Sequence, residues 1–292
     1  MSSAGQNLTT IRALLREAGL VPQRRFGQNF LIDLNLMRKL VQAGEVGPGD
    51  TVLEIGPGAG SLTEMLLERG ASVVAVEIDR GLCRILHERL GANGSLTLLQ
   101  ADALASKHEI NPMAMRLLDE RAAAGNGVRR LVANLPYQIA TPTLMNALLD
   151  GRIAHVACTI QKEVGERLWA HPRSEAYGPV SVLAQSFATP HLVAILPPTV
   201  FWPAPRVESV MLTLRPRPRE AVDIDDPPAF AALVHDAFAQ RRKTLRRIAR
   251  RWGEPAAKIF DRAGVSPERR PEELAPAQWR ALYRAARRSG AL

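Results

Sequence analysis

Cysteine, aromatic residues, acidic residues and unbroken apolar stretches are all scarce in this chain of 292 residues. Only Cys83 and Cys158 are present, in apolar segments without CxxC spacing or a flanking histidine pair, so a disulfide framework and a zinc site give way to two buried free thiols. Nowhere do eighteen apolar residues follow one another, and Arg12, Arg16 and Glu17 interrupt the only apolar run among the first twenty. Neither a membrane-spanning helix nor a secretory h-region is expected. These absences point to a cytosolic (cytoplasmic) protein with no membrane partner and no metal centre, and a monomer is expected. Aromatics make up 5% but hydrophobic residues 46%, enough to bury the core of one large domain and a smaller one. Acid is outnumbered, 29 Asp and Glu against 38 Lys and Arg, and the resulting net charge of +9 favours a polyanionic partner.

What is present reads as alternating strands and helices. "TVLEI" (51–55), "SVVAVE" (72–77), "LTLLQ" (96–100), "RLVAN" (130–134) and "HVACTI" (155–160) are short runs rich in β-branched residues. Helical patterns ending in Gly70 and Gly91 separate the first three. The alternation predicts an α/β fold, Rossmann-like, with a parallel sheet covered on both faces. "VSVLAQSF" then predicts a helix, and "HLVAIL" and "VESVMLTL" two strands that would add an antiparallel edge. Residues 105–127 read as an exposed excursion rich in Arg and Ala, and residues 1–25 as an N-terminal extension. "RPRPRE" (215–220) breaks the pattern, so the expected domains are 1–216 and an all-helical 217–292.

The first motif with chemistry is "LEIGPGAGSLT" (53–63), which follows a strand and opens a helix. Glycines at 56, 58 and 60 let the backbone turn tightly and approach a ligand. Glu77 ends the next strand, 21 residues after Gly56, where a carboxylate accepts both hydroxyls of a ribose. Ser61 stands where a dinucleotide fingerprint needs glycine, which argues against an NAD-dependent oxidoreductase and for a nucleoside cofactor without pyrophosphate, S-adenosylmethionine being the common one. Asp102 ends the third strand, within reach of an adenine amino group there; taken alone it reads as a helix N-cap.

The second motif is "NLPY" (134–137), at the end of the fourth strand. The exocyclic amine of adenine is a poor nucleophile because its lone pair is delocalised into the ring. The Asn134 side-chain oxygen and the Leu135 carbonyl, held outward by Pro136, are suited to accept both N–H bonds and localise that lone pair toward a sulfonium methyl, which is positioning plus electrostatics and requires no strong base. Tyr137 is suited to stack on the base, with Phe201 in "VFWPAPRVES" as the opposing wall. In isolation, Asn134 and Pro136 read as turn formers, Tyr137 as a half-buried ring and Phe201 as core.

Eight blocks in order, "QRRFGQNFLID" (23–33), "VLEIGPGAGSLT" (52–63), "VVAVEID" (73–79), "QADAL" (100–104), "VANLPY" (132–137), "TIQKEVGERL" (159–168), "FWPAPRVES" (201–209) and "FAQRRKTLRR" (238–247), resemble the bacterial small-subunit ribosomal RNA adenine dimethyltransferase family. The resemblance implies transfer of two methyl groups from S-adenosylmethionine to N6 of each of two adjacent adenines in the 3′-terminal hairpin. It also implies that Asn29, Leu31, Gly56, Glu77, Asp102 and Asn134 line the cofactor site, to which the glycine turn adds Gly58; Asn29 and Leu31 carry no such signal otherwise. Two departures bear on the pocket rim: Gln138-Ile139-Ala140 replaces an expected polar, hydroxyl-bearing sequence, and the stretch from Asp102 to Asn134 is longer than the family's usual spacing.

In the last segment, Phe230, Leu233, Val234, Ala237, Phe238, Leu245, Ile248 and Trp252 fit one helical stripe. "QRRKTLRRIARR" (240–251) adds Arg241, Arg242, Lys243, Arg246, Arg247, Arg250 and Arg251 with no acid among them, and residues 218–292 hold 16 Lys and Arg against 10 Asp and Glu. At helical spacing such cations repel one another, and a phosphate backbone replaces the missing counter-charges. A membrane-surface helix competes, but its apolar face is needed for the domain core. Three rival functions stay open here: a nonenzymatic ribosome-assembly checkpoint, a DNA amino-methyltransferase and, against the glycine spacing, a nucleotide-dependent oxidoreductase.

Overall fold

The computed structural model describes residues 8–252 and 256–292, apart from the side chains of Arg24 and Arg251. Residues 1–7 of the expected N-terminal extension and the Arg251 side chain of the basic run lie outside the described residues.

In chain order the elements are α1 Leu8–Glu17, β1 Phe30–Leu31, α2 Leu34–Ala43, β2 Thr51–Ile55, α3 Ser61–Glu68, β3 Ser72–Glu77, α4 Arg80–Leu90, β4 Leu96–Gln100, β5 Leu104–Ser106, β6 Glu109–Ile110, α5 Pro112–Ala124, β7 Arg129–Asn134, α6 Tyr137–Asp150, β8 His155–Gln161, α7 Lys162–Trp169, α8 Pro179–Phe187, β9 Ala188–Leu196, β10 Phe201–Trp202 and β11 Ser209–Pro216. After them come α9 Arg219–Val222, α10 Pro227–Ala239, α11 Leu245–Ile248, α12 Ala256–Ala263 and α13 Pro276–Arg288. The main sheet has the order β4-β3-β2-β7-β8-β11-β9. Its first five strands are parallel and β11 joins β8 antiparallel. Strand β2 is buried along its whole length and β3 at all but its first residue, as the middle of a parallel sheet covered on both faces requires. From β2 the chain steps outward to β3 and β4, then returns on the other side as β7. That reversal opens a crevice at the carboxyl ends of β2 and β7, the place where open α/β sheets bind ligands.

Contacts divide the chain into two compact units. The first holds the described residues up to Lys162 together with His191–Arg215; the second holds Glu163–Pro190 and Pro216–Leu292. The expected boundary near residue 216 therefore coincides with one junction, but 163–190 group with the helices of the second unit instead of the first domain. The reason is aromatic packing: Tyr177 lies against Phe238, Phe187 against Phe230, and the Tyr177 hydroxyl donates to the Leu274 carbonyl at 2.5 Å.

Three other expectations are corrected. Residues 105–127 are no exposed excursion: α5 buries Ala114, Met115, Leu118 and Ala122 and packs on β2 and β3 as the crossover helix before β7. The described part of the N-terminal extension belongs to the fold, because α1 buries Ile11 and Leu15 in a cluster with Phe30, Ala59, Leu82 and Ile85. The single helical stripe of the last segment is broken: α10 ends at Ala239, and Gln240–Thr244 turn before α11. Cys83 and Cys158 are buried free thiols, as expected, and burial pushes the Cys83 thiol up to about 12.

Candidate active site

Three sequence blocks converge on the crevice, and two glycines show how closely. Gly56, at φ +69°, ends β2 where a Cβ would come within 2.9 Å of Pro136; Gly58, at φ +60°, has the Phe30 ring where a Cβ would come within 2.8 Å. Any side chain at either position would push the glycine turn off "NLPY" or off "QNFL". Together these blocks wall a cavity of about 320 Å³. Asn29, Leu31, Gly56, Gly58, Glu77, Asp102, Asn134, Leu135 and Tyr137 all line it, so nine of the expected cofactor and catalytic residues come together.

Phe201 does not. It is 2% exposed and sits in the core with Leu31, Val200 and Met211, outside the cavity wall. Strand β10 pairs with β1 in the register Leu31 to Phe201 and Phe30 to Trp202, and alternation turns Phe201 inward while Trp202 stacks on Phe30 with ring centroids 6.2 Å apart. Phe26, half-buried, lines the cavity with the Arg25 guanidinium over its ring. It is an aromatic wall residue that the sequence reading passed over.

The acidic wall is largely desolvated. Glu77 is 5% exposed, and its two oxygens accept N–H bonds from Asp79 at 2.9 Å and Gly58 at 3.2 Å. Burial nevertheless pushes its carboxyl up to about 7, against those two hydrogen bonds. Glu54, also in the wall and missed in the sequence, is 1% exposed; burial raises it to about 8, the Thr63 hydroxyl opposes the shift without a regular hydrogen bond, and the Glu77 charge adds to it. Glu54 Oε2 is buried with no hydrogen-bond partner. Such an oxygen costs free energy until a donor reaches it, so the acidic end of the cavity fits a ligand rich in N–H and O–H groups. Asp102 caps no helix: strand β5 follows it, and its Oδ1 accepts the Leu104 N–H at 3.0 Å in a local turn while the residue stays exposed at the cavity edge.

The "NLPY" turn is held by hydrogen bonds on each functional side chain. Asn134 Nδ2 donates to the Asn29 carbonyl at 2.8 Å, and Asn134 Oδ1 accepts from the Thr159 hydroxyl. The Tyr137 hydroxyl and the buried Ser209 hydroxyl share a hydrogen bond of 2.7 Å, and burial holds the Tyr137 phenol above its ordinary range. The ring is thus pinned by its edge. Among the described residues no cluster of three potential metal ligands occurs and no helix is long and apolar enough to cross a membrane.

The basic residues of the second unit are only partly as expected. Arg242, Lys243, Arg246, Arg247 and Arg250 are exposed. Arg241, however, is half-buried and ion-paired with Glu272, and Arg246 pairs with Glu268 at 2.6 Å. The counter-charges absent from the run itself are supplied some twenty to thirty residues later. Arg242, Lys243, Arg247 and Arg250 have no acidic partner among the described residues.

The chain is 42% identical over 279 residues to the ribosomal RNA small subunit methyltransferase A of Moorella thermoacetica, covering 93% of this chain and 95% of that protein. It is 43% identical over 282 residues to the protein of the same name from Anaeromyxobacter dehalogenans, covering 94% and 96%. The fold matches the crystal structure of a dimethyladenosine transferase from Plasmodium falciparum with a TM-score of 0.71 at 22% identity, over 88% of this chain and 97% of the other. It also matches that of the 23S rRNA methyltransferase ErmE with a TM-score of 0.63 at 24% identity, over 88% and 99%. The sequence model of ribosomal RNA adenine dimethylases matches residues 21–287, and the chain belongs to that family.

Proposed function

We propose that this protein is a cytoplasmic, S-adenosylmethionine-dependent enzyme that dimethylates N6 of two adjacent adenines in the 3′-terminal hairpin of small-subunit rRNA during ribosome maturation. One observation carries the reading: the Asn134–Tyr137 turn and the Gly56–Gly58 turn share one cavity at the switch point of the sheet. The names of the relatives in Moorella and Anaeromyxobacter support the choice of RNA subunit.

When bound, S-adenosylmethionine supplies an electrophilic methyl group on a sulfonium. Glu77, ionised, would hold the ribose hydroxyls through lone pairs that its two N–H donors leave open, and Asp102 would hold the adenine amino group. Glu54 Oε2, buried without a hydrogen-bond partner, is the open position for a further polar group of the same ligand. On the substrate side, Asn134 Oδ1 retains a lone pair beside the Thr159 bond and, with the Leu135 carbonyl, accepts the two N6 hydrogens. Holding both N–H bonds in fixed directions turns the nitrogen lone pair toward the methyl group. Methyl transfer would leave the nitrogen cationic, with a proton acidic enough for water to take, so no strong base is needed. Tyr137 offers its ring face to a base taken out of its stack, and the exposed cations of the second unit bind phosphates.

The test is transfer of labelled methyl groups from S-adenosylmethionine to immature small ribosomal subunits, followed by mapping. N6,N6-dimethyladenosine at two neighbouring positions of the 3′-terminal hairpin is the expected product. Label on duplex DNA but not on the subunit would replace the reading with a DNA amino-methyltransferase.

A further inference from the structure

Thr159 lies on β8, opposite Asn134 in the parallel register with β7, and is fully buried. It grips the "NLPY" turn at two successive residues. Its carbonyl accepts the Leu135 N–H at 3.2 Å and its hydroxyl donates to Asn134 Oδ1. The first bond belongs to the backbone and survives any substitution that keeps the strand. The second belongs to one hydroxyl.

We propose that the Thr159 hydroxyl is a positioning device for methyl transfer, locking the Asn134 carboxamide so that its oxygen stays available to the target amine. The inference rests on the proposed reading of the site. A carboxamide has two nearly isosteric ends, one an acceptor and the other a donor of two hydrogen bonds. Only the oxygen end can accept an N6–H. At Asn134 the two ends are distinguished by different partners: a donor, Thr159, faces Oδ1, and an acceptor, the Asn29 carbonyl, faces Nδ2. Reversal of the amide would set Oδ1 against the Asn29 carbonyl and forfeit the Thr159 bond as donated. With the hydroxyl gone, only the Nδ2 bond opposes rotation, and an oxygen that wanders loses the alignment on which a reaction run by positioning depends. Ser209 does for Tyr137 what Thr159 does for Asn134, from the adjacent strand β11. Among the described residues the Thr159 side chain makes no hydrogen bond other than that to Asn134, and Thr159 does not line the cavity, so its influence on the reaction runs through Asn134.

The experiment compares Thr159→Val, which keeps the shape and removes the hydroxyl, with Thr159→Ser, which keeps the hydroxyl. Methyl transfer to immature subunits is measured at saturating substrate, with KM and Kd for S-adenosylmethionine determined in parallel. Expected for valine is a fall in kcat of about 10- to 100-fold, with KM and Kd for the cofactor within about twofold; serine restores kcat to within about threefold of the parent. An unchanged kcat in Thr159→Val overturns the proposal, as does an equal loss in the serine variant, or a loss of cofactor affinity matching the loss of kcat. If valine fails to give folded protein, Thr159→Ala against Thr159→Ser makes the same comparison. Absence of transfer by the unsubstituted enzyme would instead overturn the proposed reaction, so the two failures are separable.

Discussion

At the acidic wall of the cavity in the first unit Glu54 and Glu77 are buried, at 1% and 5% exposure, and Gly56 and Gly58 are each packed against a residue of another block. In the second unit Arg242, Lys243, Arg247 and Arg250 are exposed and unpaired among the described residues. The first arrangement relies on desolvation and placement to within tenths of an ångström; the second relies on charge, screened by salt and tolerant of where each side chain lies. Substitutions in the cleft should therefore act singly and steeply, and those in the basic segment additively and gently.

The largest stability effect is expected from Phe201→Ala. A buried ring in the core is worth about 3–5 kcal/mol when truncated, read as a lower denaturation midpoint. A loss of transfer rate with unchanged stability would instead return Phe201 to the role of a base-stacking wall. Gly56→Ala follows: a Cβ 2.9 Å from Pro136 at φ +69° should cost about 1–3 kcal/mol and weaken cofactor binding in calorimetry. Full affinity in that variant would break the claim that the glycine turn and "NLPY" are packed to contact.

The pH dependence is smaller over any narrow interval. Glu54 and Glu77 have folded-state values raised to about 8 and about 7, so their protonated forms are favoured by the fold. Their contribution to the stability of the ligand-free protein is full below the ordinary carboxylate range and is lost as pH rises through 7 to 8. The slope reaches about 1.4 kcal/mol per pH unit and group. Urea unfolding between pH 5 and 9 should show the decline, and Glu54→Gln should flatten its upper part. Smallest are single cation changes: Arg242→Ala, Lys243→Ala, Arg247→Ala or Arg250→Ala should each lower the salt slope of RNA affinity by about 0.7 to 0.9 and leave kcat at saturating RNA unchanged. Arg246→Ala, already paired with Glu268, should change it less. Equal effects at all five positions would remove the distinction between paired and free cations.

The strands and the glycine and "NLPY" turns were legible because their signals are local: β-branched runs, glycines where φ is positive, a proline after a strand end. Asn29 and Leu31 were reached through family resemblance alone, since their cavity position depends on a two-stranded pairing with residues 201–202 far along the chain. The inward turn of Phe201 depends on that same register and was unreadable from its proline-rich surroundings. Helix α5 was obscured because alanines serve as its buried contacts and look neutral in sequence. Glu54 gave no warning, since an acidic residue inside a strand looks the same whether buried or not. The partners of Arg241 and Arg246 come from the 268–272 segment, and only folding brings those charges together.

The central claim is that Asn134 serves the reaction and the second unit's cations serve binding. The most direct test measures methyl transfer and RNA affinity in parallel for Asn134→Ala. The account predicts loss of transfer by at least about 100-fold with RNA affinity changed by less than about 1 kcal/mol. Comparable loss of both, or transfer that survives, would contradict it.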